Sequence, residues 1–226
     1  RAHHFDGKAI EVYGPALTGV YSIPAAQMFN IVASHSYHGI SIGFPTDGAG
    51  AEYCALSGFK VFDCWVGVWL DAGNFTINNG HMEHNEWGFV MPGTAGNNGH
   101  GVVTCCTFNH NSYGIVATNL DKGMIFSANQ MWQGKVVLKN CNGAVYSGGL
   151  MDVGEVIFDG GGVNMIRDNW FAGTFGNPFT ETHTNSSKSI TYNNRRMDGT
   201  RMSDPAFAAG MNNGFVVRSN GVAMWT

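Results

Sequence analysis

Apolar residues recur along this chain in two columns that climb by the same irregular steps. One column is Met28, Leu56, Ile77, Val103, Phe126, Tyr146, Ile166 and Tyr192. The other lies five residues further on: Ala33, Val61, Met82, Phe108, Met131, Met151, Phe171 and Met197. Both rise by 28, 21, 26, 23, 20, 20 and 26 residues. A repeat of this size belongs to a solenoid, where each unit buries its apolar face only against its neighbours. A fainter column runs two residues before the first: Cys54, Phe75, Gly101, Met124, Ala144. Others run ten later (Val66, Trp87, Tyr113, Val136, Val156) and twelve later (Ile40, Val68, Phe89, Ile115, Leu138, Phe158). Apolar positions two apart mark strands with alternating faces, and the five-residue steps mark bends. The pattern predicts an all-β, single-stranded, right-handed parallel β-helix of about seven to eight coils, with three short strands per coil.

The ends depart from this pattern. Residues 1–27 are expected to hold an initial strand at Ala9–Tyr13 and a Pro/Gly loop, residues 28–197 the β-helix, and residues 198–226 a cap or oligomerisation segment. In that last segment Phe215–Arg218 and Val222–Trp225 flank Ser219-Asn220-Gly221, a hairpin signal. Length variation is expected at one place in each coil, after the third strand: Gly43–Tyr53, Asp71–Asn74, Pro92–His100, Thr118–Gly123, Cys141–Gly143, Gly161–Val163 and Gly176–Ser189. Loops leaving one corner of a solenoid build its binding face or its contact with another subunit.

Composition narrows the function classes. The 226 residues include 32 glycines, only 12% are charged, and 44% are hydrophobic, which argues against disorder. Net charge is −4 with no basic run, so no nucleic-acid partner is expected. The longest apolar run, Cys64–Leu70, is too short to insert in a membrane. The start, Arg-Ala-His-His-Phe-Asp, has no signal-peptide pattern and reads as the continuation of a longer chain. Five cysteines without CxxC spacing are expected to be reduced, in a protein made in a cytosol.

Outward columns are where chemistry would sit. Glu83 and Asp152 share one such column, with Asn109 and Trp132 between them. Glu86 and Glu155 share another, with Ser112 and Lys135 between. The acids therefore form two like-placed pairs, Glu83/Glu86 and Asp152/Glu155. With Asp63 beside the first pair, and Trp65 and Trp132 as stacking platforms, they suit glycoside hydrolysis; as a plain alternative they are solvated residues at bends. Asp63, His84, His110 and Gln133 make a polar column in which His84 and His110 are candidate substrate contacts. No metal site is expected, since His81 and His84 diverge on a strand and a third ligand is missing. No cofactor is expected: GxSxG, P-loop, HExxH and EF-hand patterns are absent. Asn85 with Asn111, and Asn129 with Asn169, are read as structural ladders.

The columns, with Asn111-Ser-Tyr-Gly-Ile115, Gly143-Ala-Val-Tyr-Ser-Gly-Gly149 and Arg167-Asp-Asn-Trp-Phe171, resemble bacteriophage tailspikes and tail-fibre adhesins of the pectate-lyase-like β-helix type. The resemblance covers about Ser34 to Asp198. It implies a homotrimer on the virion tail, made in the host cytoplasm, that binds bacterial surface polysaccharide and in many members cleaves it with paired Asp and Glu. No catalytic motif transfers residue by residue. Two other functions stay open: a polysaccharide lyase or epimerase, for which Lys135 between Glu86 and Glu155 is the nearest match to a base, and a purely structural, non-catalytic adhesin segment.

Overall fold

Each period of the sequence forms one coil because its strands can satisfy their backbone groups only by pairing with the same strands one period away. A computed structural model describes residues 7–12, 27–43, 53–93, 99–159, 161–172, 179–182, 190–196, 215–217 and 223–225. Among the described residues eight successive coils are lettered: A (27–43), B (55–71), C (75–91), D (101–118), E (125–139), F (145–159), G (165–172 and 179–182) and H (190–196). First strands, such as Ala55–Ser57 and Phe75–Asn78, stack into an eight-stranded parallel sheet. Second strands (Val32–Ser34, Lys60–Phe62, His81–Glu83, Thr107–Asn109) and third strands (His38–Gly43, Val66–Asp71, Trp87–Met91, Tyr113–Thr118) form two more parallel stacks. These two merge into one 14-stranded sheet because Gln130–Lys139 and Leu150–Asp159 run unbroken through the bend between them. The coils wind right-handed, the sense parallel crossovers adopt. Lys8–Val12 pairs with His38–Gly43 as the expected initial strand.

The predicted columns are the core. Leu56, Ile77, Val103, Phe126, Tyr146 and Ile166 stack in register and are all buried, as are Ala33, Val61, Met82, Phe108, Met131, Met151 and Phe171. The third strands add Ile40, Val68, Phe89, Ile115 and Leu138, with the Phe89 ring edge-on to Phe126 at 6.3 Å.

Buried asparagines order the corners. At the second corner Asn111 Oδ1 accepts from the Asn85 amide and from Asn85 Nδ2, both at 3.0 Å, and Asn85 Oδ1 accepts from the Cys64 amide at 2.9 Å. At the first corner Asn129 accepts from the Cys106 amide, and Asn194 accepts from the Asn169 amide and side chain. The residue before each of these five asparagines takes a left-handed backbone: His84, His110, Ala128, Asp168 and Asn193. Glycines just past the second corner make room for the ladder. A Cβ at Gly67 would stand 3.1 Å from Asn85 Nδ2 and 2.5 Å from the Gly88 carbonyl.

Four sequence expectations change. First, Asn169 pairs with Asn194, so coil H sits 25 residues above coil G: Ile166 stands beside Thr191 and Phe171 beside Arg196, in place of Tyr192 and Met197. Second, the third strand slips by two at coil E: Val136 pairs with Ile115, and Leu138 with Ala117. Gln133 and Gly134, with φ of 65° and 121°, carry the chain through that bend in fewer residues, so length variation is not confined to the third corner. The slip preserves parity, and Val136 and Leu138 remain buried. Third, Trp87 and Tyr113 are half-buried at the bend rather than inside. Fourth, Gly176–Ser189 contains a strand, Phe179–Thr182, which pairs with coil F.

The expected hairpin is present: Phe215–Val217 pairs antiparallel with Ala223–Trp225. The boundary at 197/198 and most of the loops Gly43–Tyr53 and Pro92–His100 lie outside the described residues, as do the side chains of Phe215, Val217, Met224 and Trp225.

Candidate functional site

The outward positions of the second strands form a continuous row. Phe62, Glu83, Asn109, Trp132 and Asp152 stand in register on coils B to F, the last four as the columns predicted. A parallel row lies two residues earlier on each strand: Lys60, His81, Thr107, Gln130 and Leu150. Side chains two apart share a face and neighbouring coils are about 4.8 Å apart, so the rows form one lattice. The corner adds Asp63, His84, His110 and Gln133, turned outward by left-handed backbones with φ of 52°, 52°, 52° and 65°.

Glu83 is the centre of this face. Its Oε2 lies 3.2 Å from Lys60 Nζ and 3.3 Å from His81 Nε2. Its Oε1 lies 3.9 Å from His84 Nδ1 and accepts from Asn109 Nδ2 at 3.5 Å. Partial burial is the largest single influence on the Glu83 carboxyl and pushes its pKa up. The hydrogen bond and charge of Lys60, with the charges of His81 and His84, outweigh it and hold the carboxyl below its usual range. Glu83 is therefore an anchored carboxylate, suited to accept hydrogen bonds; a general acid needs the opposite shift.

Around it the polar network continues. His110 Nδ1 is 2.7 Å from Asn109 Oδ1, and the His84 and His110 rings lie 5.3 Å apart. Lys60 Nζ sits 5.3 Å above the Phe62 ring, and His35 meets that ring edge-on at 5.9 Å. Trp132 is 39% exposed in the row between Asn109 and Asp152, and Trp65 is 47% exposed beyond the corner, its ring 6.4 Å from Trp87. Exposed aromatic faces flanked by donors and acceptors are the kind of surface on which sugar rings can stack.

The expected residues are only partly brought together. Asp63 gives its amide to the Glu83 carbonyl at 3.2 Å, but its carboxylate lies 3.8 Å from His35 Nε2. Glu86 lies on the far side of the bend from Glu83, and its Oε2 accepts from Ser112 Oγ at 2.8 Å. Asp152 is half-buried beside Trp132, three coils from Glu83, or about 14 Å along the axis. Lys135 stands beside Glu155 in register. The two-residue slip removes it from the Glu86–Ser112 row where the sequence had placed it. The Glu155 side chain lies outside the described residues.

Sequence reasoning passed over Lys60, His81 and Asn109 as partners of Glu83. The signal was available: Lys60 precedes His81 by the same 21-residue step that links Val61 to Met82. Among the described residues, no group of three or more His, Cys, Asp or Glu side chains is placed to hold a metal ion. The fold is one compatible with proteins that bind or modify polysaccharides. No protein-family model, curated protein or solved structure matches the chain.

Proposed function

We propose that this chain is a polysaccharide-binding segment of a bacteriophage tailspike or tail fibre, trimeric on the virion, and that the outward face of its second strands grips bacterial surface polysaccharide. The observation that carries this reading is the row of Phe62, Glu83, Asn109 and Trp132, in register on adjacent coils. A polymer of sugar rings and hydroxyls matches a lattice that repeats at about 4.8 Å and sets hydrogen-bonding groups between aromatic faces. The anchored Glu83 carboxylate favours binding over acid catalysis at this face. Trp65 extends the face past the corner.

The test is to immobilise the chain and titrate purified bacterial surface polysaccharides over it, with released oligosaccharide followed in parallel by mass spectrometry. The expected result is micromolar-range binding that falls roughly tenfold or more in Trp132→Ala. Light scattering on the same sample is expected to give a trimer. Binding to no polysaccharide would overturn the reading. Oligosaccharide release abolished by Glu83→Gln with binding retained would replace the adhesin with an enzyme.

A further inference from the structure

We propose that the cluster of Lys60, His81, His84 and His110 around Glu83 is a subsite for an anionic sugar unit, and that it binds more tightly as the pH falls. This rests on the polysaccharide reading above and names the charge class of the ligand. One carboxylate gathers three basic side chains within 3.2 to 3.9 Å, and a fourth, His110, holds its ring 5.3 Å from that of His84, tilted by 43°. A single negative charge neutralises only one of them. With the imidazoles protonated, Lys60, His81, His84 and His110 carry four positive charges against one on Glu83. Two of these partners are not tightly bonded. The buried Nε2 of His81 is 3.3 Å from Glu83 Oε2 but is not aligned for a hydrogen bond with any neighbour among the described residues. The His84 Nδ1 contact of 3.9 Å is an ion-pair distance and too long for a hydrogen bond. The exposed His84 donor and the exposed Lys60 ammonium are therefore available to a second anion, while the buried His81 Nε2 contributes through its charge.

The charges facing the cluster from neighbouring elements do not cancel this surplus. On coil B, Asp63 is 3.8 Å from His35, its own basic partner. On coil D, Thr107 and Asn109 are uncharged and His110 is itself basic. Across the bend, Glu86 is held by the Ser112 hydroxyl at 2.8 Å. Glu83 stays ionised through the window in which imidazoles protonate, because its basic neighbours hold its carboxyl below the usual range. Acid adds positive charge to imidazoles as a class while a sugar carboxylate or sulfate keeps its charge, so lower pH favours an anion at this cluster.

The experiment measures binding to polygalacturonate (a carboxylate on each sugar), dextran sulfate and uncharged dextran between pH 5.5 and 8. A panel of neutral bacterial surface polysaccharides runs beside them. The expected result is binding to at least one anionic polymer that tightens roughly five- to tenfold from pH 8 to pH 5.5 and weakens with salt. Which of the two polymers binds identifies carboxylate or sulfate as the anion. His84→Asn and His110→Asn should flatten the pH dependence. Asparagine accepts the left-handed backbone at both positions and does not ionise, so the fold is kept. Glu83→Gln should strengthen binding at pH 8, the reverse of the loss expected if Glu83 itself held a neutral sugar. Binding confined to neutral polysaccharides would overturn the subsite and leave the adhesin reading intact. Anion binding with no pH dependence, or with pH dependence untouched by both histidine variants, would also overturn it. Binding to no polymer would overturn both readings.

Discussion

Replacing Asn111 with Ala tests the link between the buried corner and the outward face. The side chain is 3% exposed and makes three bonds. Its Oδ1 accepts from the Asn85 amide and from Asn85 Nδ2, each at 3.0 Å, and its Nδ2 donates to the Met82 carbonyl at 2.9 Å. Asn85 Nδ2 keeps a second partner, the Val61 carbonyl at 3.3 Å, so its loss is partial. The Asn85 amide loses its side-chain acceptor in a buried corner, while the Met82 carbonyl loses one donor but stays in the strand ladder. At about 1–3 kcal/mol for the amide left unsatisfied and about 1 kcal/mol for the other lost bonds, the substitution should cost about 2–4 kcal/mol. Backbone strain does not enter, because the left-handed residue is His110 and not Asn111. The assay is equilibrium urea unfolding followed by far-ultraviolet circular dichroism, with Asn109→Ala as the control. Asn109 lies two residues away on the outward face and bonds only partly exposed groups, so its loss should cost less than about 1 kcal/mol. Equal costs for the two variants, or a loss below about 1 kcal/mol at Asn111, would show that the ladder does not hold the corner.

Phe126→Ala should cost about 3–5 kcal/mol in the same unfolding assay, because the ring is fully buried and packs edge-on against Phe89. Stability should also fall in alkali. Burial raises the thiols of Cys106 to about 12 and Cys141 to about 11 from 9.0. Their contribution is therefore complete below about pH 9 and is lost as pH rises through 11 to 12. Cys106→Ala should make that decline shallower, and an unchanged slope would count against the assignment. A thiol reagent at neutral pH should label exposed Cys105 and spare Cys54, Cys64, Cys106 and Cys141 until the chain unfolds.

The fold was largely legible because burial acts on every coil alike. A residue such as Phe126 must fill the space between Val103 and Tyr146, so volume and polarity repeat at the coil step and show in the sequence. The asparagine ladders were legible for the same reason. The register in coil H was missed because Tyr192 and Met197 are apolar and fit the columns. The bond from the Asn169 amide to Asn194 sets the step, and a hydrogen bond leaves less trace than a volume. The slip at coil E was missed because a two-residue change preserves which side chains face inward.

The site was legible by row and not by partner. Glu83, Asn109, Trp132 and Asp152 were aligned correctly, since outward columns follow from inward ones. The pairing of Glu83 with Glu86 or Asp63 was a guess about side-chain direction. The structure instead sends Glu83 toward Lys60 and His81, Asp63 toward His35, and Glu86 toward Ser112. Outward side chains are chosen one by one for their neighbours or ligand, so no repeat records their direction. The glycine column was legible in principle. Gly67, Gly88 and Gly114 climb by the same 21- and 26-residue steps as the core.

The most direct test of the central claim is a crystal structure of the chain with a bound oligosaccharide from the polysaccharide that it retains most tightly. The account predicts a sugar ring against Trp132, with hydrogen bonds to Asn109 and to the group around Glu83, and the glycan running along the row from Phe62 to Asp152. An ordered oligosaccharide on the outer face of the first strands, with the Phe62–Asp152 row bare, would contradict it.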